Sequence, residues 1–213
     1  MLVQDKDFIN LSADMIIAAY DKKSLSDRVA LFNSDFIDYT SIYLKGDIMF
    51  LPFPGTENII DALLDADILL HSCEVGAIHQ GAWTRFNDYI KLVEVVVKEH
   101  KPRKLIISGH SMGAWVATLV AAYFSTDFAK EDLVLNLFAS PKIGTEAYVE
   151  YYSKLPMRIN SFASTYDIVP TIPLCLYHVT TNIKLKFPET NSLDILENHS
   201  IHNYRLAIGK IFI

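Results

Sequence analysis

Residues 104–124 read Lys-Leu-Ile-Ile-Ser-Gly-His-Ser-Met-Gly-Ala-Trp-Val-Ala-Thr-Leu-Val-Ala-Ala-Tyr-Phe. The run Lys104–Ser108 has the length and apolar character of a buried strand, and Met112–Phe124 has the composition and length of a helix. Between them sits Gly109-His110-Ser111-Met112-Gly113, a G-x-S-x-G pattern. A strand running into this pattern and a helix running out of it is the setting of a nucleophile elbow, in which a strained serine projects its hydroxyl above the sheet. Gly109 and Gly113 fit because positions two before and two after that serine crowd the turn. The alternative is a Gly-rich turn with an ordinary serine; the flanking strand and helix favour the elbow.

Outward from the elbow, short apolar runs alternate with helical patterns. Leu133–Ala139 and Arg158–Ala163 read as strands, Thr145–Lys154 as a helix, and His199–Lys210 as a last helix. On the N-terminal side, Thr84–His100 reads as an amphipathic helix with Phe86, Ile90, Val93 and Val97 on one face, ended by Pro102. Before it, the spacing predicts a short helix over Glu57–Leu70 and then a loop to Gly81. Further back, Asp38–Leu44 and Asp47–Phe53 form a hairpin around Lys45-Gly46. The first ~30 residues read as helix, with Ser12 as a candidate cap and Met15, Ile16, Ala19 and Tyr20 at helical spacing. The fold class is α/β, a mostly parallel central sheet flanked by helices, with an N-terminal helix and hairpin.

A serine nucleophile needs a base, and the base needs an acid to orient it. In chains with this elbow the acid and then the histidine follow the serine. Only His178, His199 and His202 follow Ser111. His178 lies in what reads as a strand interior, which suits packing, so His199 and His202 remain. Asp167 is the best-placed acid, in a loop at the carboxyl end of a strand, where ligand sites sit in open α/β sheets. Asp194 is its rival. His79 reads as a buried hydrogen-bonding residue, His71 and His100 as surface residues, and Trp83 and Trp115 as packing.

Composition bounds the rest. The chain has 213 residues, 51% of them hydrophobic, which suits one folded domain and excludes disorder as the main state. Nineteen basic against 25 acidic residues give −6, and no basic patch stands out, which argues against nucleic-acid binding. No metal-ligand spacing and no H-E-x-x-H occurs. Cys73 and Cys175, far apart in the sequence, read as two free thiols. The longest apolar stretch, Ala114–Phe124, is too short for a membrane span. With no secretory signal visible, the expected location is intracellular, a secreted mature chain being the alternative.

Seven blocks in order carry a resemblance. Phe53-Pro54-Gly55-Thr56 is similar to F-R-G-[ST], Ile78–Trp83 to V-H-x-G-F, and Gly109–Gly113 to G-H-S-L-G. Phe138–Gly144 is similar to F-G-S-P-R-V-G, Asp167–Pro173 to D-x-V-P-x-L-P, and His199–Tyr204 to H-S-M-x-x-Y. Asn58–Asp65 follows the first block where a lid would stand. Together these resemble the class 3 lipases, the fungal-lipase-like branch of the α/β-hydrolases, over roughly residues 48–204. Pro54 departs from the pattern, which has Arg, and nothing in the N-terminal region matches.

The resemblance implies an α/β-hydrolase fold and a serine carboxylester hydrolase acting on lipid acyl esters, without metal or cofactor. It selects Asp167 and His199, with Ser111, as catalytic residues. Met112, as the residue after the nucleophile, offers one oxyanion N–H, and the resemblance adds that of Thr56. On a helix Ile59, Ile60, Leu63 and Leu64 share an apolar face. The resemblance makes it the face of a lid with transient contact to a lipid interface, the alternative being a surface helix packed on the core. A phospholipase A1 or thioesterase with the same three residues is one alternative, and an inactive lipid-binding module is another. Oligomeric state is open.

Overall fold

The computed structural model describes residues 3–23, 25–32, 40–56, 69–187 and 194–211. Nine strands and six helices are named here in chain order. They are α1 (Val3–Tyr20), β1 (Arg28–Phe32), β2 (Thr40–Lys45), β3 (Ile48–Phe53), β4 (Leu70–Cys73), β5 (Gly76–His79) and α2 (Gln80–His100). Then follow β6 (Lys104–His110), α3 (Met112–Tyr123), β7 (Leu133–Phe138), α4 (Glu146–Tyr152), β8 (Arg158–Ser164), β9 (Ile183–Leu185), α5 (Ile195–His199) and α6 (Ile201–Ile211).

Seven strands form one sheet in the order β1-β2-β3-β6-β7-β8-β9. The first two pairings are antiparallel and the four from β3 to β9 are parallel. The chain steps from β3 to β8 in one direction, through α2, α3 and α4. Right-handed crossovers that all move one way lay their helices on one face. That face holds the largest core, with Leu51, Val93, Leu105, Ile107, Trp115, Leu135 and Tyr152 buried. The other face is covered by the two ends of the chain, α1 and α6. There Ile9, Ala13 and Ile16 meet Phe138, Phe162 and Tyr204, while Met15 meets Phe50 and Ile106. Arg205 binds Asp14 at 2.8 Å, which ties α6 to α1.

Several boundaries differ from the sequence reading, each for a physical reason. Ser12 caps nothing. It sits inside α1, fully buried, and its hydroxyl accepts from Asn136 Nδ2 across the interface. The helix ends at Tyr20, well short of residue 30. The segment read as a loop before Gly81 is the hairpin β4–β5, and α2 begins at Gln80 because the His79 imidazole accepts from Gly81 N–H. Lys101, in a left-handed conformation (φ 46°), stops α2 one residue before Pro102. Strand β1 had no clean alternation to announce it. The helix expected over Glu57–Leu70 lies, up to residue 68, outside the described residues.

Parallel register aligns the carboxyl ends of β3, β6 and β8 along one edge of the sheet. Phe53 pairs with Gly109, His110 with Phe138, and Phe138 with Phe162. The segments leaving that edge are Pro54-Gly55-Thr56, Ser111-Met112 and the loop containing Asp167.

Candidate active site

Ser111 stands between β6 and α3 with φ 58° and ψ −132°. A residue with a Cβ rarely adopts this conformation, and holding it costs on the order of 1–3 kcal/mol. Hydrogen bonds on both sides enforce it: Ser111 N–H donates to Phe138 O at 3.0 Å, and Ala114 N–H donates to Ser111 O at 2.9 Å. The two elbow glycines allow the approach. A Cβ on Gly109 would lie 2.6 Å from Ala114 Cα, and one on Gly113 would run into the Phe53 and Pro54 carbonyls. Met112 opens α3, so its N–H belongs to the first turn and has no partner within the helix.

Asp167 and His199 meet at the same edge. Asp167 lies in the loop after β8, held there by Val169 N–H donating to its Oδ1 at 3.0 Å. His199 closes α5, and its Nδ1 is 2.9 Å from Asp167 Oδ2 and 3.1 Å from Oδ1. Tyr204, one turn into α6, donates its hydroxyl to Oδ2 at 2.8 Å and accepts Ser164 N–H at 2.8 Å. Burial and the adjacent carboxylate push the Tyr204 phenol well above its ordinary range, so it stays a donor. A carboxylate only accepts, so His199 Nδ1 carries a proton, and in the neutral imidazole Nε2 presents a lone pair. Among the described residues, His199 Nε2 and Ser111 Oγ are both buried without a hydrogen-bond partner.

A second histidine packs beside the first. His110, the last residue of β6, has its ring centroid 4.7 Å from that of His199. Its Nε2 is 2.9 Å from the His199 carbonyl oxygen and its Nδ1 is 2.7 Å from the Tyr20 hydroxyl. Burial, and next the charge His199 can carry, hold its pKa well below the usual imidazole value.

The residues singled out from the sequence separate cleanly. Ser111, Met112, Asp167, His199 and the Gly55-Thr56 backbone converge on one sheet edge. Asp194 instead caps α5, accepting Glu197 N–H at 2.9 Å. His202 is exposed on α6, and His178 lies outside any strand, with Nε2 2.7 Å from Pro170 O. His79 stacks on Trp115 and Trp83 packs with Phe86, both structural. Ile59, Ile60, Leu63 and Leu64 lie outside the described residues. Tyr204 and His110 stood inside the quoted motifs, but spacing assigned them no role. Tyr20 had no signal beyond its place on a helical apolar face.

Among the described residues no cluster of three or more His, Cys, Asp or Glu could hold a metal, and Cys73 and Cys175 are free thiols. No described helix is long and apolar enough to cross a membrane. An apolar groove of about 460 Å³, lined by Trp83, Phe86, Leu119, Tyr148 and Tyr151 among others, touches none of Ser111, Asp167 and His199.

Known proteins resemble this arrangement. The family model described as Lipase (class 3) matches residues 50–177. Toxin TseL of Vibrio cholerae is 29% identical over 122 residues, covering 56% of this chain and 19% of that protein. The secreted mono- and diacylglycerol lipase A of Penicillium camembertii is 28% identical over 151 residues, covering 66% of this chain and 48% of that one. The chain therefore spans half or less of the length of these curated relatives. The solved triacylglyceride lipase of Rhizomucor miehei superposes with a TM-score of 0.73 at 15% identity, covering 96% of this chain and 94% of that chain. The lipase of Rhizopus microsporus var. chinensis gives 0.74 at 18% identity, covering 96% and 86%. At that identity the likeness speaks for the fold. The expected intracellular location gains no support, since the Penicillium relative is named as secreted.

Proposed function

Because the chain belongs to the class 3 lipase family, we propose that it hydrolyses acyl esters of lipids, with Ser111 as nucleophile, His199 as base and Asp167 as the group that orients the base. One observation carries this reading. A buried carboxylate, satisfied by three donors, fixes the His199 tautomer at the sheet edge where Ser111 is held in a strained conformation. Ser111 Oγ and His199 Nε2 are both buried at that edge and have no hydrogen-bond partner among the described residues.

The chemistry follows from these groups. Ser111 Oγ attacks the ester carbonyl carbon as His199 Nε2 takes its proton. The carbonyl π electrons move to oxygen, and the N–H groups of Met112 and Thr56 stabilise that oxyanion, aided by the positive end of the α3 dipole. Asp167 holds the imidazolium. As the tetrahedral intermediate collapses, the alcohol leaves with the proton from His199, and Ser111 carries the acyl group. Water, deprotonated by the same histidine, then releases the acid and restores Ser111.

The test is hydrolysis of a soluble short-chain nitrophenyl ester by wild type and by Ser111→Ala, both verified as folded. Loss of the nucleophile should lower the rate by on the order of 10⁴–10⁶. Equal rates in the two proteins, on the soluble ester and again on micelles, would discard the reading.

A further inference from the structure

The hydrogen bonds around His110 give its protons an order. Its Nε2 faces the His199 carbonyl oxygen at 2.9 Å, and a carbonyl only accepts, so Nε2 carries the proton. Burial disfavours the charged ring, and in the neutral ring Nδ1 accepts. The donor to Nδ1 is the Tyr20 hydroxyl at 2.7 Å. Having spent its one proton there, Tyr20 is left as acceptor for Gly55 N–H, also at 2.7 Å. Donation therefore runs one way: Gly55 N–H to Tyr20, Tyr20 to His110, and His110 to the backbone of His199.

The two ends of this chain matter. Gly55 precedes Thr56 and lies directly on the nucleophile. A Cβ at position 55 would be 2.7 Å from Ser111 Cβ and 2.8 Å from the Tyr20 hydroxyl. The other end is the main chain that carries the base. We propose that Tyr20 and His110 are positioning residues, which lock the loop bearing the oxyanion donor Thr56 to the backbone of His199 across Ser111. This rests on the assignment of Ser111, Asp167 and His199 made above.

The His199 carbonyl fixes the His110 tautomer, and the Tyr20 hydroxyl completes it by donating to Nδ1. Without the hydroxyl, His110 Nδ1 loses its donor and the ring loses one of the two bonds that hold it in place. Gly55 N–H loses its partner in the same step. Displacing a reacting group by about 1 Å can cost on the order of 10²-fold in rate. The N-terminal helix is thereby part of the site, through its last residue.

The test compares wild type with Tyr20→Phe on the soluble ester, with active sites titrated by a nitrophenyl phosphonate. The expected result is a fall in kcat of about 10–100-fold with KM within about twofold, since substrate contacts are untouched. A merely structural role would lower the midpoint of urea unfolding and leave kcat per titrated site unchanged, which would overturn the proposal. His110→Leu against His110→Gln is a second pair. Gln retains a donor for the His199 carbonyl and should keep most of the activity that Leu loses; equal kcat for the two overturns the proposal. Nitrogen-15 NMR of the wild type should show the Nε2–H tautomer at His110, and the Nδ1–H tautomer would also overturn it. Wild type without serine-dependent hydrolysis would be a failure of the functional reading instead, and Ser111→Ala in the same assay separates the two.

Discussion

The two faces of the sheet are built on different terms. The face under α2, α3 and α4 is a dry core. Its buried polar groups bond within one helix or to a neighbour, as Thr118 does to Ala114 O and Tyr152 to Thr118 O. The face under α1 and α6 carries polar side chains across the interface at several levels. Ser12, Asn136 and Asn160 form one set, and Gly55, Tyr20, His110, His199, Asp167 and Tyr204 form another. The topology explains the division. One-way crossovers fill the first face with α2, α3 and α4, each leading into the next parallel strand. The second face is left to the chain ends, whose helices can be joined to strand tips by directional bonds. Stability therefore depends mostly on one face, and the geometry of the proposed site on the other.

The sharpest test of that division is Asp167→Asn. The amide keeps the shape but presents a donor, and it lets His199 turn the wrong tautomer toward Ser111. Loss of kcat by about 10⁴ is expected, with the urea midpoint changed far less in proportion. Measuring kcat and unfolding on the same preparation checks it. A protein that loses its fold along with its activity would show that the polar face carries stability as well.

The complementary change is Phe124→Ala on the dry face. Phe124 is 2% exposed, packed with Tyr123 and Phe128 at the far end of α3 from Ser111. Truncation should cost about 3–5 kcal/mol, a large part of the 5–15 kcal/mol that holds a domain together. Activity per folded molecule, counted by active-site titration, should stay within about twofold. A drop in that quantity would show that strain crosses the sheet and would break the comparison.

Legibility in the sequence divides along the same line. The dry face is local in origin: the spacing of Phe86, Ile90, Val93 and Val97 announces α2, and the run around Ser111 announces strand, turn and helix together. The polar face depends on pairs far apart in the chain. Tyr20 and His110 are 90 residues apart, and no periodicity records that they meet. Ser12 reads as a cap because serine favours caps, whereas its partner Asn136 is 124 residues away. Position at the end of a strand favours Asp167 over Asp194 without settling the choice. Only the resemblance chose between them, and the structure gives Asp194 a capping bond instead. Strand β1 and hairpin β4–β5 escaped because their short sequences do not alternate apolar and polar residues.

The smallest expected effect concerns protons. Burial lowers the pKa of His110 in the folded protein below its value in the unfolded chain, near 6.5. Below that value the unfolded chain binds a proton that the folded one refuses, so stability rises with pH across the interval between the two. The contribution is complete above about pH 6.5 and is lost as pH falls toward the folded value. Its slope is bounded by one proton, about 1.4 kcal/mol per pH unit. His79 and His178, also lowered by burial, add slopes of the same sign. Urea unfolding of wild type and His110→Gln between pH 5 and 7 should give curves that converge as pH falls, because the variant lacks this one proton. Parallel curves would mean that His110 takes up its proton without unfolding. The polar face would then tolerate charge beside His199, and the one-way order of donors through Tyr20 would hold only above neutral pH.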